Sequence, residues 1–294
     1  MVPVLDGERT LEESLATFLR VDYPPDRREV IIVDNGSTDR TAEIVRRAPV
    51  RYLFEPRRGT AKARNLGIEA SRGEILAFTD ADCLVTKGWL RALVSGFDGG
   101  DVGAVAGEIL PFPPRTAAER YAARTRHLSA RRYLSRPHLP FAVTANLAFR
   151  REVFEQVGLL DPDAPRGGEC TDFCTRFLRQ TGQRIEFAPR AVVFHRHRST
   201  ARELFRQQWN YGRGHAYLYR KYAAELPWTW RQRRQVWGDL GRTAGELAAT
   251  GLRGAAGRAS RTELEFRYIE LVRKLASRLG FAWHRLGQRQ IFAR

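Results

Sequence analysis

Over its first 110 residues the chain alternates short β-type runs with helical stripes, and few folds accommodate that alternation. Residues 2–5, 29–33, 50–54, 74–78 and 101–110 are apolar or β-branched runs, bounded by Gly, Asn and Asp. Between them lie helical patterns at 10–20, 41–47, 60–71 and 87–97; the first carries Leu11, Leu15, Phe18 and Leu19 on one face. Strand and helix in turn predict an α/β fold with a mostly parallel, doubly wound sheet flanked by helices, since parallel neighbours need a crossover. A strand starting at Met1 is short for a central position, so it is expected to lack several residues.

The alternation breaks at Pro111-Phe112-Pro113-Pro114. An Arg-rich helix over 117–134 follows, then a strand at 142–149 and a helix at 151–157. Gly167-Gly168-Glu169 opens a helix through 180, and 184–195 reads as a strand with a turn at Pro189-Arg190. From 199 the pattern is helical. Leu264, Tyr268, Leu271, Leu275 and Leu279 form a stripe, and 251–259 is a Gly/Ala/Arg linker. Charge divides the chain the same way. Of the net +17, residues 196–294 carry +14, with 21 Lys+Arg against 7 Asp+Glu. The expected organisation is therefore an α/β domain over 1–198, in halves 1–110 and 111–198, and a basic helical extension over 199–294.

Three cysteines make no disulfide framework, and no His stands at zinc-like spacing from Cys170 and Cys174, so these are read as reduced thiols. There is no signal peptide and no run of 18 apolar residues, which predicts a cytoplasmic protein. A pI of 10.7 raises nucleic-acid binding as a rival class. No helix-turn-helix, zinc or RRM signature supports it, and the charge lies outside the α/β part, so no nucleic-acid partner is expected.

Four constellations bear on chemistry. Thr79-Asp80-Ala81-Asp82 ends an apolar run. On a strand, Asp80 and Asp82 would share a face and project into the crevice where open α/β sheets bind ligands. Such a pair suits a divalent cation on a diphosphate, although D-x-D also occurs in ordinary turns. Asp34, ending Ile31-Ile32-Val33, reads either as an acceptor for a nucleobase N–H or as an Asx turn or a cap for the next helix. In Gly59-Thr60-Ala61-Lys62-Ala63-Arg64, two cations sit in a helix's first turn against its dipole; phosphate binding explains them, as does a solvated basic face. Glu169-Cys170-Thr171-Asp172 offers either a general base or a capping cluster, and His195 at a strand end either a ligand or a structural His.

Taken in order, Pro3-x-x-Asp6, Val33-Asp34-Asn35-Gly36-Ser37-Thr38-Asp39, Gly59 to Gly67, Thr79-Asp80-Ala81-Asp82, Thr144 to Arg151, Glu169-x-x-Asp172 and Ala191 to His195 resemble the family 2 glycosyltransferases over about the first two-thirds of the chain. The resemblance implies the GT-A fold, a Rossmann-like nucleotide-sugar-binding half joined to an acceptor-binding half. It implies a nucleoside-diphosphate sugar donor, UDP-linked before others, and Mg²⁺ or Mn²⁺. It places Pro3, Asp6, Asp34, Arg64, Asp80 and Asn146 at the donor, Asp82 and His195 at the metal, and Glu169 and Asp172 at catalysis, with inversion.

Two departures stand. Asp6 occupies a usual Asn position, and Cys170 replaces the acid expected as general base. Glu169 or Asp172 then serves as base, or transfer proceeds with retention, or the chain is a catalytically weak nucleotide-sugar binder. The acceptor is expected to be a hydroxyl compound, lipid-linked if the Arg- and Trp-bearing extension lies on the inner face of an anionic membrane; the alternative is a solvated helical hairpin.

Overall fold

The computed structural model describes residues 1–226 and 230–291, less the side chains of 230–233 and 286–291. Trp228 and the indole of Trp230, both in the Arg- and Trp-bearing extension, lie outside the described residues. The elements in chain order are β1 (Val2–Val4), α1 (Leu11–Leu19), β2 (Ile31–Asp34), α2 (Thr41–Arg46), β3 (Arg51–Phe54), α3 (Thr60–Ala70), β4 (Ile75–Thr79), β5 (Cys83–Val85), α4 (Trp89–Val94), β6 (Val102–Pro111), α5 (Ala117–Thr125), α6 (Ala130–Leu134), β7 (Asn146–Arg150), α7 (Arg151–Val157), α8 (Glu169–Thr181), β8 (Arg184–His195), α9 (Ala201–Lys221), α10 (Trp230–Ala255) and α11 (Arg261–Ile291).

They form two compact units. The first comprises Met1–Phe112, Leu128–Ala164 and Glu169–Arg196; the second comprises Pro113–His127, Pro165–Gly168 and His197–Arg294. In the first unit, β1, β2 and β3 make an all-parallel sheet in that order, with Val4, Asp34 and Phe54 in register at the strand tips. Ile31, Ile32 and Val33 are fully buried, as expected of a strand covered on both faces. The remaining strands form a mixed sheet, β4-β7-β6-β8-β5, in which β6 and β8 are parallel and the other pairs antiparallel. Met1 links the two sheets: its amine donates to the Ala77 carbonyl at 2.7 Å, and its own carbonyl accepts from Thr79 N at 3.2 Å.

Leu11, Leu15 and Phe18 of α1 join Trp89, Leu93 and Val105 in one core cluster; Phe78, Phe149, Phe154, Phe173 and Phe177 form another. The chain is thus an α/β protein with a parallel sheet, flanking helices and a helical C-terminal region. Two local expectations change. The single helix over 117–134 is α5 and α6, separated where Arg126 adopts a left-handed φ of 44°. The reputed linker at 251–259 is helical as far as Ala255, because a helix tolerates solvent-side glycines when its other face is packed.

The second unit holds α5, α9, α10 and α11. Capping boxes at Thr116/Glu119 and Thr200/Glu203 start α5 and α9. Gly212 and Gly280 allow α9 and α11 to pack backbone against backbone: a Cβ on Gly212 would meet Ser277 O at 1.9 Å, and one on Gly280 would meet Trp209 O at 2.1 Å. No helix among the described residues is long and apolar enough to cross a membrane.

Candidate active site

The site is built on the α3 N-terminal half, the β4–β5 turn, the start of α8 and the end of β8. Gly59, at φ 147°, turns the chain into α3 and directs Arg64 inward, where it is 3% exposed. Its Nη2 donates to Asp80 Oδ1 and its Nη1 to Glu169 Oε1, each at 3.2 Å. One guanidinium fork thereby joins two carboxylates from distant segments. Burial opposes the charge, but Cys170, Asp80 and Glu169 around it hold the guanidinium above its ordinary pKa. The solvated basic face is thus ruled out for Arg64, whereas Lys62 is half-buried.

Asp80 and Asp82 do not share a strand face. β4 stops at Thr79 and the two acids lie in a turn closed by Cys83 N donating to Asp80 O at 3.1 Å. The turn separates their partners: Asp80 meets Arg64, while Asp82 Oδ1 lies 3.5 Å from His195 Nε2. The three-residue strand β5 follows at once, and its antiparallel pairing sets Cys83 directly opposite His195. Ligand atoms of Asp82, Cys83 and His195 all lie within 4.8 Å of one another. Burial, then the charges of Asp82 and Asp80, push the Cys83 thiol well above its ordinary pKa, which leaves carboxylate and imidazole as the donors suited to a hard or borderline cation.

Glu169 and Asp172 part company. Glu169, 3% exposed, faces Arg64. Asp172, fully buried one turn along α8, pairs with Arg176 at 3.1 Å, and Arg176 also donates to the carbonyls of Val157 and Leu159. Asp172 thus anchors the loop after α7. Cys170 Sγ lies 3.2 Å from Thr144 Oγ1; burial, then the charge of Glu169, push its thiol up to about 11. It is a neutral thiol at neutral pH, not a thiolate base.

The donor-side residues divide similarly. Asp34 accepts from Ser37 N, three residues on, at 2.8 Å, and its other oxygen accepts from Tyr52 Oη at 3.0 Å. Asp6, at a left-handed φ of 51°, accepts from Thr38 N at 2.8 Å, tying the loop after β1 to the loop after β2. Pro3 lies mid-β1 beside Val33. Asn146 is fully buried. Its amide donates to Glu108 O at 2.9 Å and Ala191 O at 2.8 Å, and its carbonyl accepts from Trp89 Nε1 at 2.8 Å. There it fills an irregularity where Gly107 pairs with Ala188 but Glu108 with Val192.

The glycosyl transferase family 2 profile matches residues 1–158, more than half of the chain. The chain belongs to this family. Glycosyltransferase AglE of Haloferax volcanii is 33% identical over 222 residues, which are 73% of this chain and 71% of that protein. The probable glycosyltransferase YdaM of Bacillus subtilis is 26% identical over 247 residues, 77% of this chain but 57% of that protein. Among solved structures, the mannosyltransferase PcManGT from Pyrobaculum calidifontis, in complex with GDP-Man and Mn²⁺, matches with a TM-score of 0.63 and 22% identity, over 96% of this chain and 86% of that one. TarS 1–349 of Staphylococcus aureus in complex with UDP matches with a TM-score of 0.54 and 15% identity, over 98% and 90%. Both share the fold.

Within this family 2 glycosyltransferase, sequence reasoning overlooked Cys83, Trp89 and Gly107. Cys83-Leu84-Val85 is itself a short β-type run after a turn, a usable signal for β5. Nothing local marks Gly107, where a Cβ would come within 2.3 Å of both Asn146 Nδ2 and Ala191 O.

Proposed function

We propose that this glycosyltransferase moves a sugar from a nucleoside-diphosphate donor, a UDP-sugar, to an acceptor hydroxyl with inversion, in the assembly of cell-surface glycan or glycolipid. The observation that carries the reading is the convergence of Asp80, Arg64 and Glu169 beside the Asp82–His195 pair. Asp82 and His195 would hold Mg²⁺ or Mn²⁺, and their mutual approach fits such an ion. Bound there, the cation supplies Lewis-acid stabilisation of the leaving diphosphate.

The chain's own groups supply the rest. Arg64 fixes Asp80 and Glu169 and adds positive charge where a diphosphate departs. Glu169 takes the proton from the acceptor hydroxyl, and its ion pair with Arg64 fixes the position of its carboxylate. Direct attack assisted by one base gives inversion, through an oxocarbenium-like state. Asp34 and Asp6 shape the base-side loops, while Asp172 and Asn146 position α8 and the β6–β8 irregularity. PcManGT with GDP-Man and Mn²⁺, and TarS with UDP, lend the metal and the diphosphate donor support.

Calorimetric titration of UDP, GDP and dTDP with and without Mn²⁺ tests the reading. Metal-dependent binding of UDP is expected, lost in Asp82→Ala. Glu169→Gln should bind UDP normally and lose roughly 10²–10⁴ in turnover. No binding of any nucleotide overturns the proposal. Normal binding with no turnover in the native chain favours the non-catalytic binder, which the Cys170 substitution motivates.

A further inference from the structure

The second unit segregates its charges along α10. The acids of that helix pair with bases of α11. Asp239 lies 3.0 Å from both Lys274 Nζ and Arg278 Nη2 of α11, and Glu246 lies 2.8 Å from Arg267 Nη1. Thr243 and Thr250 are buried on the same side. The outward side differs in kind. Trp237, Gly241, Ala244, Ala248 and Leu252 recur at spacings of four and three and are all exposed. Trp237 is 54% and Leu252 75% exposed. A neighbouring row holds Gly238, Arg242, Gly245, Ala249 and Arg253, also exposed. A Cβ added at Gly238, Gly241 or Gly245 would meet nothing within 4 Å. Between 234 and 255 the carboxylates are Asp239 and Glu246, both ion-paired, with side chains 31% and 41% exposed. Arg234, Arg242 and Arg253 are exposed; Arg242 pairs with Asp239 at 3.1 Å and Arg253 with Glu263 at 2.6 Å, yet 68% and 52% of these two side chains face solvent, where such pairs are weak.

We propose that this outward face of α10 docks on an anionic lipid bilayer. A shallow apolar stripe with an indole at one end and arginines beside it matches the headgroup region, where Trp sits at the boundary and Arg meets lipid phosphate. Intramolecular pairing of both acids removes the charges that such a surface would repel. The helix lies along the bilayer, since no described helix can cross one. A second copy of the chain or a nucleic acid would be recognised by different features. Packing of copies would not need both acids neutralised by α11, and a nucleic acid would not need Trp237 and Leu252 exposed.

Vesicle flotation of the full chain, without donor or metal, tests this. Phosphatidylglycerol/phosphatidylcholine vesicles should bind it, more weakly as salt rises, and pure phosphatidylcholine should not. Trp237→Glu with Leu252→Glu should lower partition at least roughly tenfold with helical content unchanged, since both side chains already face solvent. Arg242→Gln with Arg253→Gln should lower it by roughly fivefold per arginine. Equal binding to both vesicle types, binding unchanged in both variants, a dimer lost in Trp237→Glu, or duplex DNA preferred over vesicles would each overturn the proposal. The assay needs no nucleotide, so its outcome is separate from that of the donor site.

Discussion

Arg64 and Glu169 stand 105 positions apart in the chain, yet their side chains meet at 3.2 Å with only 4% of each exposed. Asp80 completes the arrangement from the other side of the guanidinium. A charge buried this deeply depends on its partners, since removal of one leaves the other without solvent or counter-charge.

Arg64→Ala should therefore cost about 3–5 kcal/mol in urea unfolding and abolish transfer. Arg64→Lys keeps the charge but loses the fork, so it should regain stability in part and activity poorly. A lysine variant with full activity would show that the two-carboxylate bridge is dispensable.

Asp82 and Asp39 give opposite expectations. Asp39 accepts from Thr41 N and Glu8 N, so Asp39→Ala should cost about 1 kcal/mol of stability and leave donor binding intact. Asp82→Ala should abolish Mn²⁺-dependent nucleotide binding. The reverse ranking in calorimetry would sink the assignment of Asp82.

Cys170 should be chemically quiet. With its thiol pushed up to about 11, alkylation at pH 7.5 should be slow compared with a free cysteine. Cys170→Ser should keep transfer within a few-fold and leave the pH–rate profile unshifted. A loss comparable to that of Glu169→Gln would make Cys170 part of the catalytic apparatus.

Asn146 should matter through stability. Asn146→Ala leaves Glu108 O, Ala191 O and Trp89 Nε1 without their partner and should cost roughly 2–4 kcal/mol. Nucleotide affinity of the folded variant should change little. An unchanged melting temperature with lost affinity would place Asn146 at the donor instead.

In the second unit, hydrogen bonding from Lys274, and then from Arg242, brings the Asp239 carboxyl down from 3.8 to about 2. Its folded pKa is depressed, so the stabilisation is complete above pH 3.8 and is lost as pH falls through 2. Asp239→Asn should be about 1 kcal/mol less stable at pH 7, after allowance for solvent screening, and equal to the native chain near pH 1.5. A gap that persists at low pH would assign the effect to packing.

What could be read from the sequence alone was local. Hydrophobic periodicity located the helices and nearly every strand, because burial of one face leaves its period in the residues themselves. Motif order gave the family. Only tertiary structure decided strand direction in the mixed sheet, where β7 returns antiparallel between β4 and β6. It also separated near neighbours on α8, placing Glu169 against Arg64 and Asp172 against Arg176, and it split Asp80 from Asp82 by a turn. These outcomes depend on which side chains from remote segments share a buried volume. Residue spacing carries no record of that, since the energy of a buried charge is set by its partners in space.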